Sequence, residues 1–191
     1  MRGLASVLAL FCAASVAANP VGELRPGDIV LRAGDSAWAF LASRFAQRQP
    51  QWVHAGIVVA AGDEIQVMHM DGTPQGGRLA VDPADRFFAG HPAVRVRPDL
   101  PPEALARLLA WLDLQQQRGV EFDTSFDLER DDAYYCTELV WRGIREATGR
   151  DPFPDKPSLG RGRPYLPVDL LLELGSVSEI GRLPPAMPAQ P

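Results

Sequence analysis

The sequence predicts a single α+β domain in which a small antiparallel sheet packs against helices. Short apolar runs rich in β-branched residues alternate with longer segments whose apolar residues recur every three or four positions. The chain has 191 residues, of which 46% are hydrophobic and 23% are charged, as expected for one globular domain. The sequence shows no internal repeat.

The N-terminal half of the domain predicts four short strands and one helix. Each expected strand combines apolar or alternating residues with a flanking turn signal, and the helix is capped by Asp35 or Ser36 and ended by Pro50. The strands are expected at 29–31, 53–60, 64–70 and 93–97, the last of them half exposed or at an edge, with the helix at 38–47 and a polar loop at 71–77.

The C-terminal half predicts three helices. The first begins at the Pro101–Pro102 pair and stops at Gly119, with a stripe of leucines as its buried face. A second helix is expected at 136–148, closed by Gly149, and a short third helix follows Pro167. The leucine stripe consists of Leu105, Leu108, Leu109 and Leu112, and the connecting segments are an acidic stretch at 121–132 and a proline-bearing loop at 151–164.

The chain begins with the pattern of a secretory signal peptide. Arg2 precedes an apolar run over 4–14, and small residues suited to signal peptidase follow it. The run is shorter than the roughly 20 residues that a membrane span needs. The alternative is an uncleaved N-terminal anchor. We therefore expect an exported protein, periplasmic or extracellular, with a signal peptide at 1–18, the folded domain at 19–182 and a Pro-rich flexible tail at 183–191.

Removal of the signal peptide would leave one cysteine. The chain has two, Cys12 and Cys136, which excludes a disulfide framework and a Cys-rich zinc module. Cysteines of exported proteins usually pair, so Cys136 is either an inert core residue or a reactive thiol. The formal net charge of −5 argues against a nucleic-acid-binding protein.

Two histidines fall on the predicted hairpin formed by the strands at 53–60 and 64–70. If Ala61 and Gly62 form its turn, His54 faces His69 directly. If Gly62 and Asp63 form it, His69 is displaced by two residues. Because side chains alternate along a strand, both turns place the two imidazoles on one face, and a β-bulge would break this agreement.

Such a pair suits a general base and the group that orients it. Gly56, on the same face, leaves room for a neighbouring side chain or for substrate. The alternatives are two structural histidines, or a metal site that His54 and His69 complete with a carboxylate such as Asp71. His91 lies in a Gly-His-Pro loop and is expected at the surface.

Cys136 is expected in the first turn of its helix. There the unpaired N–H groups and the helix dipole favour thiolate over thiol. The same N–H groups suit an oxyanion hole, to which the Tyr135 hydroxyl would add a donor. The acidic residues at 121–138 form either a solvated loop or a negative rim that attracts a substrate ammonium group.

Several motifs in this order resemble a known family. They are Gly-Asp-Ile-Val-Leu at 27–31, Trp-Val-His-Ala-Gly-Ile-Val-Val at 52–59, a polar residue at 69, Tyr-Tyr-Cys-Thr-Glu-Leu-Val-Trp at 134–141 and Pro167-x-Asp169-Leu170. Together they resemble the circularly permuted branch of the NlpC-type papain-like cysteine hydrolases, the YiiX-like group, which is distantly similar to lecithin:retinol acyltransferase. The resemblance covers 24–174.

The resemblance implies a circularly permuted papain-like fold and a catalytic set of three residues. Cys136 matches the nucleophile, His54 the base and His69 the third polar residue. YiiX-like relatives often have Glu at that third position, whereas the acyltransferase relatives have His. The departure leaves open whether water or another molecule accepts the acyl group.

We therefore expect an exported cysteine amidase or peptidase that forms an acyl-enzyme on Cys136, without a cofactor or a metal. Its expected partner is a peptide or acyl-amide substrate such as a cell-wall peptide, with peripheral contact to cell wall or membrane lipid and no nucleic acid. The alternatives are an acyltransferase, esterase or thioesterase acting on lipids, and a non-catalytic binding module. A thiolate at Cys136 predicts that iodoacetamide modifies it faster than a model thiol at pH about 6.

Overall fold

The structure is a computed structural model that describes residues 23–34, 46–62, 64–159 and 162–182. The expected signal peptide at 1–18, the expected tail at 183–191 and most of the helix expected at 38–47 lie outside these residues. None of the described helices has the length and apolar composition needed to cross a membrane.

The described chain contains ten strands, three α-helices and one 3-10 helix. The strands are β1 (Ile29–Arg32), β2 (His54–Ala60), β3 (Gln66–Thr73), β4 (Gly76–Pro83), β5 (Pro92–Arg97), β6 (Glu121–Phe122), β7 (Ala133–Tyr134), β8 (Ser158–Leu159), β9 (Arg163–Pro164) and β10 (Ser176–Arg182). The helices are α1 (Ala84–Phe88), α2 (Pro102–Arg118), α3 (Cys136–Thr148) and the 3-10 helix Val168–Leu174.

Eight strands form one mixed sheet in the order β10-β5-β1-β2-β3-β4-β6-β7. Its neighbours pair antiparallel except β6 and β7, which are parallel, and β8 and β9 form a separate antiparallel pair. The predicted α+β class is confirmed.

Both faces of the central strands are buried. On one face Ile29 and Ile57 join a large apolar core with α2 and α3. On the other face Val30 and Val58 pack in a smaller cluster with Phe88 of α1. This two-sided burial explains the nearly continuous apolar run of β2, because each alternate residue meets a core.

The two long helices have the predicted limits. Gly119 and Gly149 end α2 and α3 in the left-handed conformation, with φ of 65° and 70°, which glycine adopts without steric cost. Leu108 and Leu112 are fully buried in α2, whereas the other two leucines of the expected stripe are only partly buried. The short final helix is confirmed as a 3-10 helix after Pro167.

The polar loop expected at 71–77 is wrong. β3 runs on to Thr73 and β4 starts at Gly76, so the segment is a tight hairpin. Gly77 has φ of 159°, and a Cβ there would lie 2.1 Å from the carbonyl oxygen of Asp71. The glycines therefore permit close strand pairing, although the same composition usually marks a loop.

The expected edge position of β5 is also wrong, because β5 lies between β1 and β10. The expected half exposure is confirmed: Val94 and Val96 are buried while Arg95 and Arg97 are partly exposed. The sequence did not predict β10, whose polar residues and bulge between Glu179 and Gly181 interrupt the alternation typical of a strand.

Candidate active site

The hairpin of β2 and β3 places His54 and His69 on one face of the sheet, as predicted. Gly56 pairs with His69, which is the register of the Gly62–Asp63 alternative. A bulge between Val58 and Ala60 lies on the turn side of this pair. If the pairing of Ala60 with Gln66 next to the turn continued unchanged, the two imidazoles would lie on opposite faces of the sheet. The bulge shifts the register by one residue and so returns both imidazoles to the same face.

The two imidazoles are the centre of a hydrogen-bonded chain. His54 Nε2 lies 3.0 Å from His69 Nδ1, with the rings nearly perpendicular. His69 Nε2 lies 3.2 Å from Asp82 Oδ2 on β4. Arg86 lies four residues after Asp82, on α1, and its Nε is 3.4 Å from the same carboxylate oxygen. His69 is only 5% exposed, whereas His54 is partly exposed, so this chain is open to solvent at His54.

The ring of Phe87 packs against both imidazoles. Its ring centre lies 5.4 Å from that of His54 and 5.1 Å from that of His69. A Cβ at Gly56 would come within 3.1 Å of Phe87 and 2.6 Å of Val67. The space that Gly56 leaves is therefore taken by neighbouring side chains, and the substrate alternative for that space is wrong.

Cys136 occupies the first position of α3, with Tyr135 as the N-cap residue, as predicted. Cys136 as a residue is half-buried. Backbone hydrogen bonds from Ala55 and Thr137 favour its ionised form. Ala55 directly follows His54, so this contact places the start of α3 against the strand that carries His54.

Burial opposes the thiolate expected at Cys136. Burial raises the pKa of Cys136 above its usual value, and the backbone N–H groups and the Arg32 charge only partly oppose it. Burial, with the neighbouring His69 and the Arg32 charge, holds the pKa of His54 well below its usual value. Burial also lowers the pKa of His69, against the raising effect of Asp82. Both shifts favour the uncharged forms of these groups, a thiol at Cys136 and a neutral imidazole at His54.

Tyr135 lies outside the reacting groups. Its side chain is 4% exposed, and its hydroxyl accepts a hydrogen bond from the backbone N–H of Leu166 at 2.9 Å. Thr137 donates to the carbonyl oxygen of the same Leu166 at 2.6 Å. These contacts tie the first turn of α3 to the segment before the 3-10 helix, and the geometry gives the expected oxyanion role of Tyr135 no support.

The acidic stretch at 121–138 is partly buried, so neither a solvated loop nor a negative surface rim describes all of it. Asp123 and Glu138 are fully buried. Arg142 donates to Glu138 at 2.8 Å and to Asp131 at 2.8 Å. Burial nevertheless raises the pKa of Glu138 to about 8. This network fixes the helix that carries Cys136.

The metal alternative lacks its ligand set. Among the described residues no group of three or more His, Cys, Asp and Glu side chains is placed to hold a metal ion. Nε2 of His54 and Nδ1 of His69 are hydrogen-bonded to each other, and Nε2 of His69 is hydrogen-bonded to Asp82. Asp71 influences His69 only through its charge.

Sequence reasoning missed Asp82 and assigned His91 correctly to a loop. His91 is partly exposed and takes no part in the chain of imidazoles. Asp82 lies on β4, for which no strand was predicted. The alternation of the larger apolar residues Leu79 and Val81 with Arg78, Ala80 and Asp82 was the available signal.

Comparison with known proteins supports the fold alone. No protein-family model matches the chain, and no curated protein matches it. Among solved structures, the chain is similar to the metalloprotein YiiX from Escherichia coli O157:H7, with a TM-score of 0.64 and 18% sequence identity over 84% of this chain and 98% of that chain. The domain therefore has a YiiX-like α+β fold.

Proposed function

We propose that this protein is an exported cysteine hydrolase that cleaves an amide bond through an acyl-enzyme on Cys136. The observation that carries the proposal is the contact of the Cys136 thiol with the backbone of Ala55. This contact holds a helix-start thiol against β2, the strand whose first residue, His54, has its Nε2 hydrogen-bonded to His69. Nucleophile, base and orienting group are the parts that acyl transfer needs.

The proposed reaction starts from neutral groups. His54 accepts the thiol proton as the sulfur attacks the substrate carbonyl, and the carbonyl π electrons move to its oxygen. The tetrahedral intermediate collapses as the imidazolium of His54 protonates the leaving amine, which leaves a thioester on Cys136. Water then attacks the thioester with His54 as base. The acid product departs, and the proton returns to the sulfur.

Backbone N–H groups at the start of α3 suit the oxyanion. The N–H groups of Cys136 and Thr137 favour negative charge at the sulfur, and the helix N-terminus adds its dipole. Arg32, which pairs with His54 across β1 and β2, places a further positive charge near these groups. Cell-wall peptides are the proposed substrate class.

A lipid acyltransferase or esterase is the second candidate. The imidazole at position 69, in contact with His54 at 3.0 Å, is the residue type that resembles the acyltransferase relatives. In the acyltransferase case an acceptor other than water would attack the thioester, whereas in the esterase case water would attack it. The metal alternative has a separate test, because the structurally similar YiiX is described as a metalloprotein, although no group of three ligands is found among the described residues of this chain.

The experiment compares products from peptidoglycan with products from an acyl lipid, using mass spectrometry. We expect peptide cleavage and a transient acyl adduct on Cys136, both absent from Cys136→Ala. His54→Gln should reduce turnover by about 10²- to 10⁴-fold, while His91→Gln, at a histidine outside the site, leaves it unchanged.

The other outcomes separate the candidates. Turnover that survives Cys136→Ala would refute the nucleophile. Acyl transfer from lipid alone would favour the second candidate. Activity that a chelator abolishes and added metal restores would favour the metal-dependent one. Absence of any product or adduct from both substrates would favour the binding module.

A further inference from the structure

We propose that Asp82 is a positioning residue that fixes the tautomers of both imidazoles and leaves Nδ1 of His54 as the base nitrogen. The inference deepens the proposed function and rests on it for its kinetic consequence. The tautomers themselves can be observed without any substrate.

The hydrogen-bonded chain determines each proton in turn. The carboxylate of Asp82 can only accept, so the hydrogen between it and His69 resides on Nε2 of His69. A neutral His69 then has a bare Nδ1, which can only accept. The hydrogen between the rings must therefore reside on Nε2 of His54. A neutral His54 is left with a bare Nδ1, the nitrogen that can take a proton from Cys136.

The opposite tautomers, with the hydrogen on Nδ1 of each ring, are disfavoured by the negative charge of Asp82. A hydrogen on Nδ1 of His69 would turn the lone pair of its Nε2 toward the Asp82 carboxylate at 3.2 Å. It would also require His54 to carry its hydrogen on Nδ1, which blocks proton transfer from the thiol. Asp82 is only 14% exposed, so water competes weakly for its oxygen.

The same chain supports the charged state formed during reaction. When His54 becomes an imidazolium, its Nε2–H donates to His69, which in turn donates to Asp82. The carboxylate charge thus stabilises His54 through an intervening ring. The other charged groups facing His69 are Asp71 on its own strand and Arg32 on β1, and Arg86 on α1 faces Asp82.

Nitrogen NMR of the imidazole rings tests the assignment on the full protein. The chain has only three histidines, so the His91→Asn variant identifies the signals of the site pair. We expect both His54 and His69 to show a protonated Nε2 and a bare Nδ1 near neutral pH. A protonated Nδ1 on either ring of the native protein would overturn the proposal, whatever the behaviour of the variants.

Two variants complete the test. The amide of Asp82→Asn can donate as well as accept, so a population of His69 with a protonated Nδ1 should appear, and an unchanged tautomer would contradict the proposal. Asp71→Asn, which removes a nearby charge without a hydrogen bond to the ring, should leave both tautomers as they are.

Kinetics separates this proposal from the proposed function. Asp82→Asn should lower kcat about 10- to 100-fold with little change in KM, and should alter the pH profile of kcat. An unchanged kcat and pH profile would refute the positioning role. If Cys136→Ala leaves turnover intact while the tautomers are as expected, the proposed function fails and the tautomer assignment stands.

Discussion

At the scale of single residues, the surroundings of Cys136 decide its chemistry more than its place on the helix. The helix start supplies N–H groups that favour a thiolate, as expected. Burial against β2 outweighs them and raises the pKa of the thiol. In the proposed reaction the sulfur would therefore need His54 as a base at the moment of attack, rather than resting as an ion pair.

The pKa direction reverses the expected reactivity at pH about 6. Iodoacetamide should alkylate Cys136 more slowly than a model thiol below pH 9.0, and the rate should continue to rise above that pH, because only the thiolate reacts. The rate constant measured from pH about 6 to 10 checks this. A plateau reached below neutral pH would instead indicate a resting thiolate–imidazolium pair.

At the scale of elements, the β2–β3 hairpin and α1 together shape the histidine site. The bulge between Val58 and Ala60 sets which face each side chain takes. Phe87 of α1 then packs against both imidazoles over the bare backbone of Gly56. The orientation of the rings thus depends on the absence of a side chain at one strand position.

Gly56→Ala should destabilise the protein by about 1–3 kcal/mol, because its Cβ would lie 2.6 Å from Val67 and 3.1 Å from Phe87. It should also lower turnover by displacing Phe87 from the rings. Gly62→Ala, in the turn of the same hairpin and with no atom within 4 Å of its Cβ, is the matched control. Urea unfolding measures the free energy of unfolding of the two variants. Equal values for Gly56→Ala and Gly62→Ala would contradict the packing argument.

At the scale of the whole molecule, contacts between distant segments hold the site strands in place. The carboxylate of Asp169, on the 3-10 helix, accepts hydrogen bonds from the backbone N–H groups of Gln47, Arg48 and Gln49. That segment leads directly into β2, which carries His54. The Pro167-x-Asp169-Leu170 motif therefore acts as a structural anchor.

Asp169→Ala should lower the free energy of unfolding by about 1–3 kcal/mol, because three N–H groups lose a charged acceptor. Glu173→Gln, on the same helix, removes only the exposed ion pair with Arg48 and should cost less than about 1 kcal/mol. Chemical denaturation checks the difference, and equal losses would show that Asp169 is no anchor.

Elements with a clear hydrophobic period or a helix-capping residue could be predicted from the sequence. α3 has the predicted limits because Gly149 closes it, and β2 because its apolar run is unbroken. The shared face of His54 and His69 was predicted from strand alternation and a two-residue turn, and the bulge between Val58 and Ala60 produces the register it requires. These features depend on local geometry, which neighbouring residues determine.

Features that depend on distant contacts were not predictable. Asp82 reaches His69 only because the 71–77 segment forms a tight hairpin, whereas its glycines and proline are typical of a loop. β10 forms by pairing with β5, far away in sequence. The raised pKa of Cys136 comes from burial against β2, which no local pattern indicates.

The contact between Cys136 and Ala55 joins the two halves of the chain, and it makes complete folding a condition of reactivity. A fragment ending before α3 would carry both imidazoles without Cys136, and a fragment starting at α2 would carry Cys136 without them. Under the proposed function neither piece holds the nucleophile with its base. We therefore expect each half to be inactive alone, and two separately made halves to regain activity only when mixed.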